Sequence, residues 1–491
     1  MDQFDIVIVG GGINGAGCAA DAALRGLSVL LCEQDDLASK TSSHSSQLIH
    51  GGLRYLEYFD FKLVKKALEE RQRLLTIAPH IVHPLPFVLP HHPQGRSPWL
   101  ISIGLYLYDY LSKSQQLPKH QSISRRHMPH YFQPLLETLD QAHLFYDCKT
   151  DDARLVIHNT LQAKAHGAVI KTNTALIKAE AQDNLWHLVF QSKDGSQTQV
   201  QARALINAAG SAVQQVNMLG NIPTTMNITL IQGSHLIVPR LYQGQHAYLL
   251  QDIGKRIIFT IPYHHAYTLI GTTEIPYDPK TDQIQMKPIE SEYLCAIVKR
   301  YFKKTITPED CLKSTCGVRT LVSHKNKNVT ALSRDIAYHF SSQPAPVVSI
   351  YSGKITTYRE LSEEVINSLR TVFPNMPASA TATTPLIGAT YDHMNFTEFK
   401  NYFNHTYSWL NPTLKMRYLE TYGAQAEKIL QGATNIKALG QDFGHTLYEA
   451  EVNYLIQEEW AQTAEDILWR RTKLGLALDQ EQTQKLMKYL H

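Results

Sequence analysis

A glycine-rich turn near the amino terminus constrains the fold of this chain more than any other feature. The apolar, β-branched run from Phe4 to Val9 is followed by Gly10-Gly11-Gly12-Ile13-Asn14-Gly15, and then by a stretch rich in Ala and Leu that reaches Arg25. An apolar run that stops at glycine indicates a buried strand, and the Ala-rich stretch indicates a closely packed helix that ends at Gly26. A GxGxxG pattern between a strand and a helix is typical of a dinucleotide-binding βαβ unit.

Three glycines of this turn are expected to allow a dinucleotide to bind. Gly10 permits the tight turn, Gly12 lets a pyrophosphate approach the backbone, and Gly15 lets the helix lie close to the sheet. The first turn of the helix directs N–H groups and a partial positive charge at the phosphates. Glu33 ends the next apolar strand, where a carboxylate can hold ribose hydroxyls. The pattern alone leaves open whether the dinucleotide is FAD or NAD.

The composition is that of a globular protein with several domains. The chain has 491 residues, of which 43% are hydrophobic, and at roughly 100–200 residues per domain this predicts two or three domains. A net charge of +3 argues against a general nucleic-acid binder. Six cysteines without a CxxC pair exclude a disulfide scaffold and a Cys-rich metal site, which fits a reducing compartment. We expect no metal, because no ligand spacing such as HExxH is present.

Two further regions combine ligand-type residues. The stretch Thr41–Leu56 contains many small hydroxyl residues, a Gly-Gly pair, His50, Arg54 and Tyr55, which favours a loop around a ligand over a packed core. The apolar run Pro346–Ile350 leads into Gly353-Lys354-Ile355-Thr356 and a helix, which is a second strand–glycine–helix junction. The strand that ends in Ile206-Asn207-Ala208-Ala209-Gly210 also allows a cofactor to pass close by.

The amino-terminal residues and the segment Trp99–Tyr110 bear on membrane association. Asp2 and Asp5 are unlike the basic start of a signal peptide, and no apolar stretch reaches the roughly 18 residues of a spanning helix. The Leu- and Tyr-rich segment Trp99–Tyr110 favours either a core helix or a helix that lies in a membrane surface, and the sequence leaves both open.

We expect an α/β protein with three domains. The predicted dinucleotide-binding domain comprises residues 1–80, 147–220 and 325–377, an antiparallel-sheet substrate domain comprises 81–146 and 221–324, and an all-helical carboxyl-terminal domain comprises 386–491. Within the substrate domain, Ile228–Ile231 and Ser234–Val238 read as separate strands, because Gln232-Gly233 lies between them.

Taken together, the motifs resemble those of the FAD-dependent glycerol-3-phosphate dehydrogenases, in particular the aerobic, respiratory-chain enzymes. The motifs that carry the resemblance, in chain order, are Val9–Gly17, Thr41–Glu57, Asp151–Leu155, Gly233–His235, Gly271–Thr273, Gly317–Arg319, Ser333–Asp335, Gly353–Arg359, Asp442–Gly444 and Trp469–Lys473. The chain departs from the family pattern at Gln47, Ala209, Gln232, Thr320 and Ser352, which puts affinity in doubt more than reaction type.

The resemblance implies a specific chemistry and location. It implies FAD in a glutathione-reductase-like, amino-acid-oxidase-type domain, and oxidation of sn-glycerol 3-phosphate to dihydroxyacetone phosphate by hydride transfer to flavin N5. It also implies electron transfer to ubiquinone at the cytoplasmic face of the inner membrane, by a peripheral, monotopic homodimer. The residues expected to contact FAD are Gly10, Gly12, Ile13, Asn14, Gly15, Glu33, Thr41, Ser42, Ser46, Leu48, Ile49, His50, Gly51, Gly52, Asn207, Ala208, Gly210, Gly353, Lys354, Ile355 and Thr356.

The substrate needs cations for its phosphate and a base for its alcohol. Arginine suits phosphate because its planar fork donates two parallel hydrogen bonds. The expected substrate-binding residues are Arg54, Tyr55, Arg319, Arg334 and Lys354. Histidine suits proton removal near neutral pH, and His50 and His235 remain equal candidates for the base, with Arg319 assisting by stabilising the developing alkoxide.

Three other functions remain open from the sequence. A glycerol-3-phosphate oxidase would hand the electrons to oxygen and release hydrogen peroxide. A non-catalytic FAD- or NAD-binding regulator would not need the histidines and cations described above. An amino-acid or hydroxy-acid oxidase would also use arginine, because its substrate is a carboxylate.

Overall fold

The computed structural model describes residues 2–112, 116–224, 226–253, 256–264, 266–323 and 336–490. Arg334 and its motif Ser333–Asp335 therefore lie outside the described residues, so the expectation for Arg334 has no structural counterpart.

Strands and helices alternate through most of the chain and give way to helices near the carboxyl terminus. The strands are β1 (Asp2–Val9), β2 (Val29–Cys32), β3 (Leu48–Ile49), β4 (Val82–Pro90), β5 (Gln121–Ser124), β6 (Gln141–Thr150), β7 (Val169–Lys171), β8 (Thr174–Gln182), β9 (Leu185–Ser192), β10 (Gln197–Asn207), β11 (Asn227–Pro239), β12 (Ala247–Gln251), β13 (Ile257–Tyr263), β14 (Tyr267–Gly271), β15 (Ile275–Pro276), β16 (Lys313–Ser323), β17 (Ala337–Ser341), β18 (Val347–Ser352), β19 (Asp442–Gly444) and β20 (Leu447–Tyr448). The α-helices are α1 (Ile13–Leu24), α2 (Phe61–Ile77), α3 (Pro98–Ser112), α4 (Asp152–Ala165), α5 (Val213–Leu219), α6 (Pro288–Lys299), α7 (Tyr358–Ser368), α8 (Phe396–Thr406), α9 (Pro412–Tyr422), α10 (Ala426–Ile429), α11 (Glu449–Glu459) and α12 (Gln480–Leu490).

The first sheet carries the glycine-rich turn. Its strand order is β17-β18-β10-β1-β2-β7, with the hairpin β8–β9 attached to β10. β1 runs parallel to both β10 and β2, and Val9 pairs with Asn207 on one side and with Cys32 on the other. The carboxyl ends of these strands therefore meet at one edge, and Gly10 leaves the sheet there. This confirms the strand–turn–helix predicted from the sequence.

Helix α1 lies close to its neighbours because its buried face is made of small residues. It packs against α4 and α7. A Cβ on Gly17 would lie 2.4 Å from Ser362 Oγ and 2.9 Å from the ring of Tyr358, so only glycine allows this approach. The close packing fixes the amino terminus of α1 relative to the start of α7, which is the second strand–glycine–helix junction.

The second sheet lies beside the loop between residues 41 and 56. Its strand order is β15-β11-β14-β13-β12-β4-β6-β3, with β16 paired to β11 and β5 to β6. All these pairs are antiparallel except β12–β4. The prediction of separate strands around Gln232-Gly233 was wrong, because β11 continues through Gly233, whose partner in β16 is Gly317.

The carboxyl-terminal helices α8 to α12 surround their own apolar core, which includes Phe403, Tyr418 and Leu455. Buried ion pairs join this part to the first sheet, and one of them connects Arg471 to Asp36 at 2.7 Å. In the described ranges, none of the helices is both long and apolar enough to cross a membrane.

Candidate functional site

The glycine turn after β1 leaves the first sheet at the edge where the carboxyl ends of its parallel strands meet. Gly10 has φ +113°, and a Cβ there would lie 2.5 Å from Ala208 O. A Cβ on Gly15 would lie 1.9 Å from Gly10 O. Strand β10 and helix α1 therefore approach the turn at distances that only glycine permits.

The acidic residue after β2 supports the same turn. Gly11 N donates to Glu33 Oε2 at 2.6 Å, and Asp35 N donates to Oε1 at 2.9 Å. Burial raises the pKa of Glu33 against the opposing effect of these backbone donors. The carboxylate is fixed at the edge where the sequence places the ribose of the dinucleotide.

The loop after residue 40 connects the turn to the second sheet. Ile13 N donates to Ser42 Oγ at 3.0 Å, and Thr41 Oγ1 donates to Val318 O at 2.7 Å. A Cβ on Gly317 would lie 3.2 Å from His44 Cβ. The loop therefore lies between α1 and β16, and brings the two sheets together around one site.

The second junction lies directly beside the first. A Cβ on Gly353 would lie 2.9 Å from Asn14 Oδ1. This amide oxygen is buried and has no hydrogen-bond partner within the described ranges. A buried polar atom without a partner costs free energy, so Asn14 is suited to a ligand that supplies a donor.

Glycines let neighbouring side chains lie close to one face of the second sheet. Gly233 pairs with Gly317 across β11 and β16, and Gly271 pairs with His235 across β14 and β11. Directly paired residues of antiparallel strands share a face, and positions two apart along a strand share it as well. Arg319 is two positions from Gly317, so its side chain lies on the same face as His235.

His235 is buried on this face and uncharged near neutral pH. Its Nε2 lies 2.9 Å from Ser46 Oγ, and its Nδ1 is buried with no partner in the described part of the chain. Burial, with the nearby positive charge of Arg319, lowers its pKa to about 3, while the Asp152 carboxylate acts in the opposite direction. A neutral imidazole with an available nitrogen can accept a proton.

His50 lies at the same side of the sheet. Its ring makes an edge-to-face contact with Phe259, with ring centroids 6.1 Å apart, and Phe259 pairs with Gly271. Its backbone N donates to Thr356 Oγ1 at 3.2 Å. Burial lowers the pKa of His50. Both histidines predicted from the sequence therefore lie near Gly271: His235 pairs with it, and His50 contacts its other partner, Phe259.

The predicted cations fall into two groups. Lys354 Nζ lies 4.1 Å from the centre of the Tyr55 ring, and Gly52 (φ +72°) leaves room for that ring. Arg54 donates to Tyr58 at 3.4 Å, and its Nε is buried with no partner among the described residues. On the sheet, Arg319 forms an ion pair with Glu274 at 3.2 Å.

Some predicted residues present their backbone rather than their side chain to the site. Asn207 is buried and donates to Val213 O and to Asn217 Oδ1, both at 2.8 Å. The side chains of Leu48 and Ile49 lie in hydrophobic cores. Gly12, Ala208, Gly210, Gly51 and Ile355 occupy the turns that border the site.

Sequence reasoning missed the buried polar groups that support this site. Gly51 N donates to Tyr108 OH at 2.7 Å, Tyr108 OH donates to Asp147 at 2.8 Å, and Arg71 pairs with Asp147 at 2.5 Å. These residues lie far apart along the chain, so no local spacing connects them. No local signal could have found them, since Arg71, for example, lies in the charged stretch Glu69–Arg73.

Known protein families and relatives match nearly the whole chain. The family model "FAD dependent oxidoreductase" matches residues 5–359, and the model "C-terminal domain of alpha-glycerophosphate oxidase" matches residues 379–489. The chain is 44% identical to a glycerol-3-phosphate dehydrogenase of Pseudomonas aeruginosa, covering 100% of this chain and 95% of the relative. It is 42% identical to a D-erythritol 1-phosphate dehydrogenase of Brucella abortus (97% and 95%), and 39% identical to an aerobic glycerol-3-phosphate dehydrogenase of Escherichia coli (100% and 98%).

A solved structure has the same fold over nearly the whole chain. It is a glycerol-3-phosphate dehydrogenase of Bacillus halodurans complexed with FAD, with a TM-score of 0.76, 22% sequence identity, and coverage of 99% of this chain and 94% of that one. The fold and the glycine turn define an FAD-dependent oxidoreductase. More narrowly, the chain belongs to the family of FAD-dependent glycerol-3-phosphate dehydrogenases, and its cofactor is FAD.

The described residues fit this cofactor. The unpartnered Asn14 Oδ1 lies between the two strand–glycine–helix junctions. Gly10, Gly11 and Gly12 leave the first half of the turn without side chains, which suits a pyrophosphate, and Glu33 follows β2, where it can bind a ribose.

Proposed function

We propose that this enzyme oxidises sn-glycerol 3-phosphate to dihydroxyacetone phosphate. The observation that carries the proposal is that uncharged His235 and cationic Arg319 share a glycine-lined sheet face opposite the loop that covers the FAD turn. When bound, FAD accepts a hydride from the alcohol carbon and releases the electrons to a second acceptor. The residues proposed to hold FAD are those predicted from the sequence.

The substrate phosphate is bound by cations and the alcohol is deprotonated by a histidine. Arg54 and Lys354 come from the FAD side, and Arg319 from the sheet side. We assign His235 as the base, because its ring lies next to Arg319 and is oriented by Ser46. Arg319 stabilises negative charge on the alcohol oxygen as the proton leaves. Bringing the dianionic phosphate close to His235 raises the pKa of that residue towards the working pH.

The test is anaerobic mixing of the purified flavoprotein with glycerol 3-phosphate. Bleaching of the flavin absorbance, with dihydroxyacetone phosphate as product, is the expected result. An unreduced flavin would contradict the proposal. D-erythritol 1-phosphate is the second substrate to mix, because a relative named for it is 42% identical. A higher kcat/KM with D-erythritol 1-phosphate than with glycerol 3-phosphate would show that the preferred substrate is a four-carbon polyol phosphate.

We further propose that the electrons pass to ubiquinone, at the cytoplasmic face of the inner membrane. Helix α3 supports this, because both its faces are apolar. Ile101, Leu105 and Tyr108 are buried, whereas Trp99 and Tyr106 are 66% and 69% exposed. Exposed Trp and Tyr rings, which combine an apolar ring with a polar group, suit a membrane interface.

A second exposed apolar group adjoins α3. Tyr58, Phe59 and Phe61 lie at the start of α2, which packs against α3, and Phe59 is 78% exposed. The ion pair between Arg96 and Glu57 joins the two segments. We define the exposed side chains of 58–61 and of α3 as the apolar platform, and propose that it contacts lipid.

The platform is tested by fractionating cells that produce a Trp99→Ser/Leu100→Ser variant. We expect the variant to leave the membrane fraction, while Met218→Ser, which changes an equally exposed residue elsewhere (74%), stays with it. Unchanged recovery of the double variant would remove α3 from the membrane contact. The proposed homodimer is tested by sedimentation in detergent.

The acceptor is tested separately. A glycerol-3-phosphate oxidase would release one hydrogen peroxide per turnover in air, whereas the proposed enzyme reduces a soluble quinone and releases little peroxide. A peroxide yield close to one per turnover in the presence of quinone would favour the oxidase.

A further inference from the structure

A buried lysine from the carboxyl-terminal part reaches the candidate site. Lys473 Nζ lies 2.7 Å from Asp152 Oδ1 and 3.2 Å from Asp151 Oδ1. The side chains of Lys473 and Asp152 are 3% and 0% exposed. The two carboxylates raise the pKa of Lys473, and Lys473 lowers that of Asp152, so this cluster carries charge deep inside the protein.

The other oxygen of Asp152 holds the loop over the site. Asp152 Oδ2 accepts hydrogen bonds from Ser45 N at 3.0 Å and from Ser45 Oγ at 2.8 Å. The next residue, Ser46, contacts His235 Nε2 at 2.9 Å. A continuous series of polar contacts therefore runs from the carboxyl-terminal part to the imidazole of the proposed base.

The neighbouring cations explain how Lys473 is held in place. Arg470 and Arg471 both bind Asp36, at 2.6 Å and 2.7 Å, beyond the end of β2. The segment from 470 to 473 thus contacts both the loop after β2 and the start of α4. Burying charge costs free energy even when the charge is paired, and hydrophobic residues would join the domains at lower cost. Hydrogen bonds are directional, whereas hydrophobic contacts are not. A polar connection can therefore fix the orientation of the loop.

We propose that Lys473 is a positioning residue, which orients Ser46 and thereby His235 through Asp152 and Ser45. The inference rests on the proposed role of His235 in the reaction. The carboxyl-terminal domain then contributes to catalysis without touching the substrate, and its docking sets the geometry of the base.

The first test measures the loop directly and does not depend on substrate. Hydrogen–deuterium exchange is followed in peptides that cover residues 41–47 of the FAD-loaded protein. Lys473→Met is expected to increase exchange there. The matched control is Arg417→Met, which breaks the buried Arg417–Glu451 pair inside the carboxyl-terminal core and should leave the loop unchanged. Equal exchange in wild type and Lys473→Met would overturn the proposal even if glycerol 3-phosphate proved to be the wrong substrate.

The second test separates positioning from stability. We expect Lys473→Met to slow flavin reduction about tenfold or more, because small displacements of a catalytic group are costly, with little change in KM, because Arg54 and Lys354 stay in place. Ser45→Ala weakens the same series from the other side, because it removes the Oγ hydrogen bond to Asp152 and leaves the backbone one, and it should fold even if Lys473→Met does not. The losses of the two variants should be less than additive when combined. Fully additive losses, or a slowing of Arg417→Met to the same extent, would refute the positioning role.

Discussion

The substitution Gly271→Ala tests the role of His235 most directly. Gly271 pairs with His235 across β14 and β11, and its missing side chain leaves the space that the imidazole occupies. A Cβ at position 271 would lie 2.3 Å from His235 Cδ2 and 2.8 Å from Cγ. One methyl group is therefore enough to displace the ring.

The size of the effect follows from the distance. Non-bonded carbon atoms settle about 3.5–4.0 Å apart, so the ring has to retreat by more than about 1 Å. A displacement of this size at a reacting group costs about 100-fold in rate, which corresponds to about 2.7 kcal/mol of activation free energy. FAD should stay bound, because the glycine turn follows β1 of the first sheet, whereas Gly271 lies in β14 of the second.

The assay is stopped-flow reduction of the flavin by glycerol 3-phosphate under anaerobic conditions, with the flavin-to-protein ratio measured on the same sample. Gly104→Ala is the matched control, since a Cβ there meets nothing within 4 Å. A Gly271→Ala variant that keeps its flavin and is reduced at the wild-type rate would show that His235 does not act at the reacting atoms.

Three other predictions concern the cofactor, the phosphate and pH. Gly15→Ala should lose FAD, since its Cβ would lie 1.9 Å from Gly10 O; a wild-type flavin-to-protein ratio would contradict this. Arg319→Ala should keep FAD but lower kcat/KM by about 100-fold, as expected for a lost charge-assisted contact; unaltered kinetics would move the phosphate elsewhere. The pKa of His235 lies at about 3, so below about pH 6.5 the unfolded chain takes up a proton that the native chain does not, and stability falls as the pH is lowered. Between pH 7 and 5 this costs about 2 kcal/mol, and urea unfolding of His235→Asn should show a weaker pH dependence; an unchanged slope would assign the effect to other histidines.

Local patterns were enough to predict the dinucleotide turn. Gly10, Gly12 and Gly15 act within one strand–turn–helix unit, so their spacing along the chain reports their arrangement in space. Glu33 was placed for the same reason, because it ends the adjacent strand. The start of the helix at Asp152 is equally local, because the Asp151 side chain caps it by accepting from Arg154 N.

Cross-strand register could not be predicted in the same way. The sequence suggests a break at Gln232-Gly233, but the strand continues, because β11 pairs with β16 without interruption through Gly233 and Gly317. Which residues face each other is decided when distant strands pair, and a shift of one residue would move every side chain to the other face. The proximity of His235 and Arg319 depends on this pairing.

The sequence by itself therefore determined the cofactor turn and the set of polar residues available for chemistry. Only the tertiary structure decided which of these residues meet. Lys473 and Asp152 are 321 positions apart, and their contact arises from the docking of one folded part on another. Patterns along a chain encode backbone conformation over a few residues, whereas contacts between distant segments depend on the packing of the whole molecule.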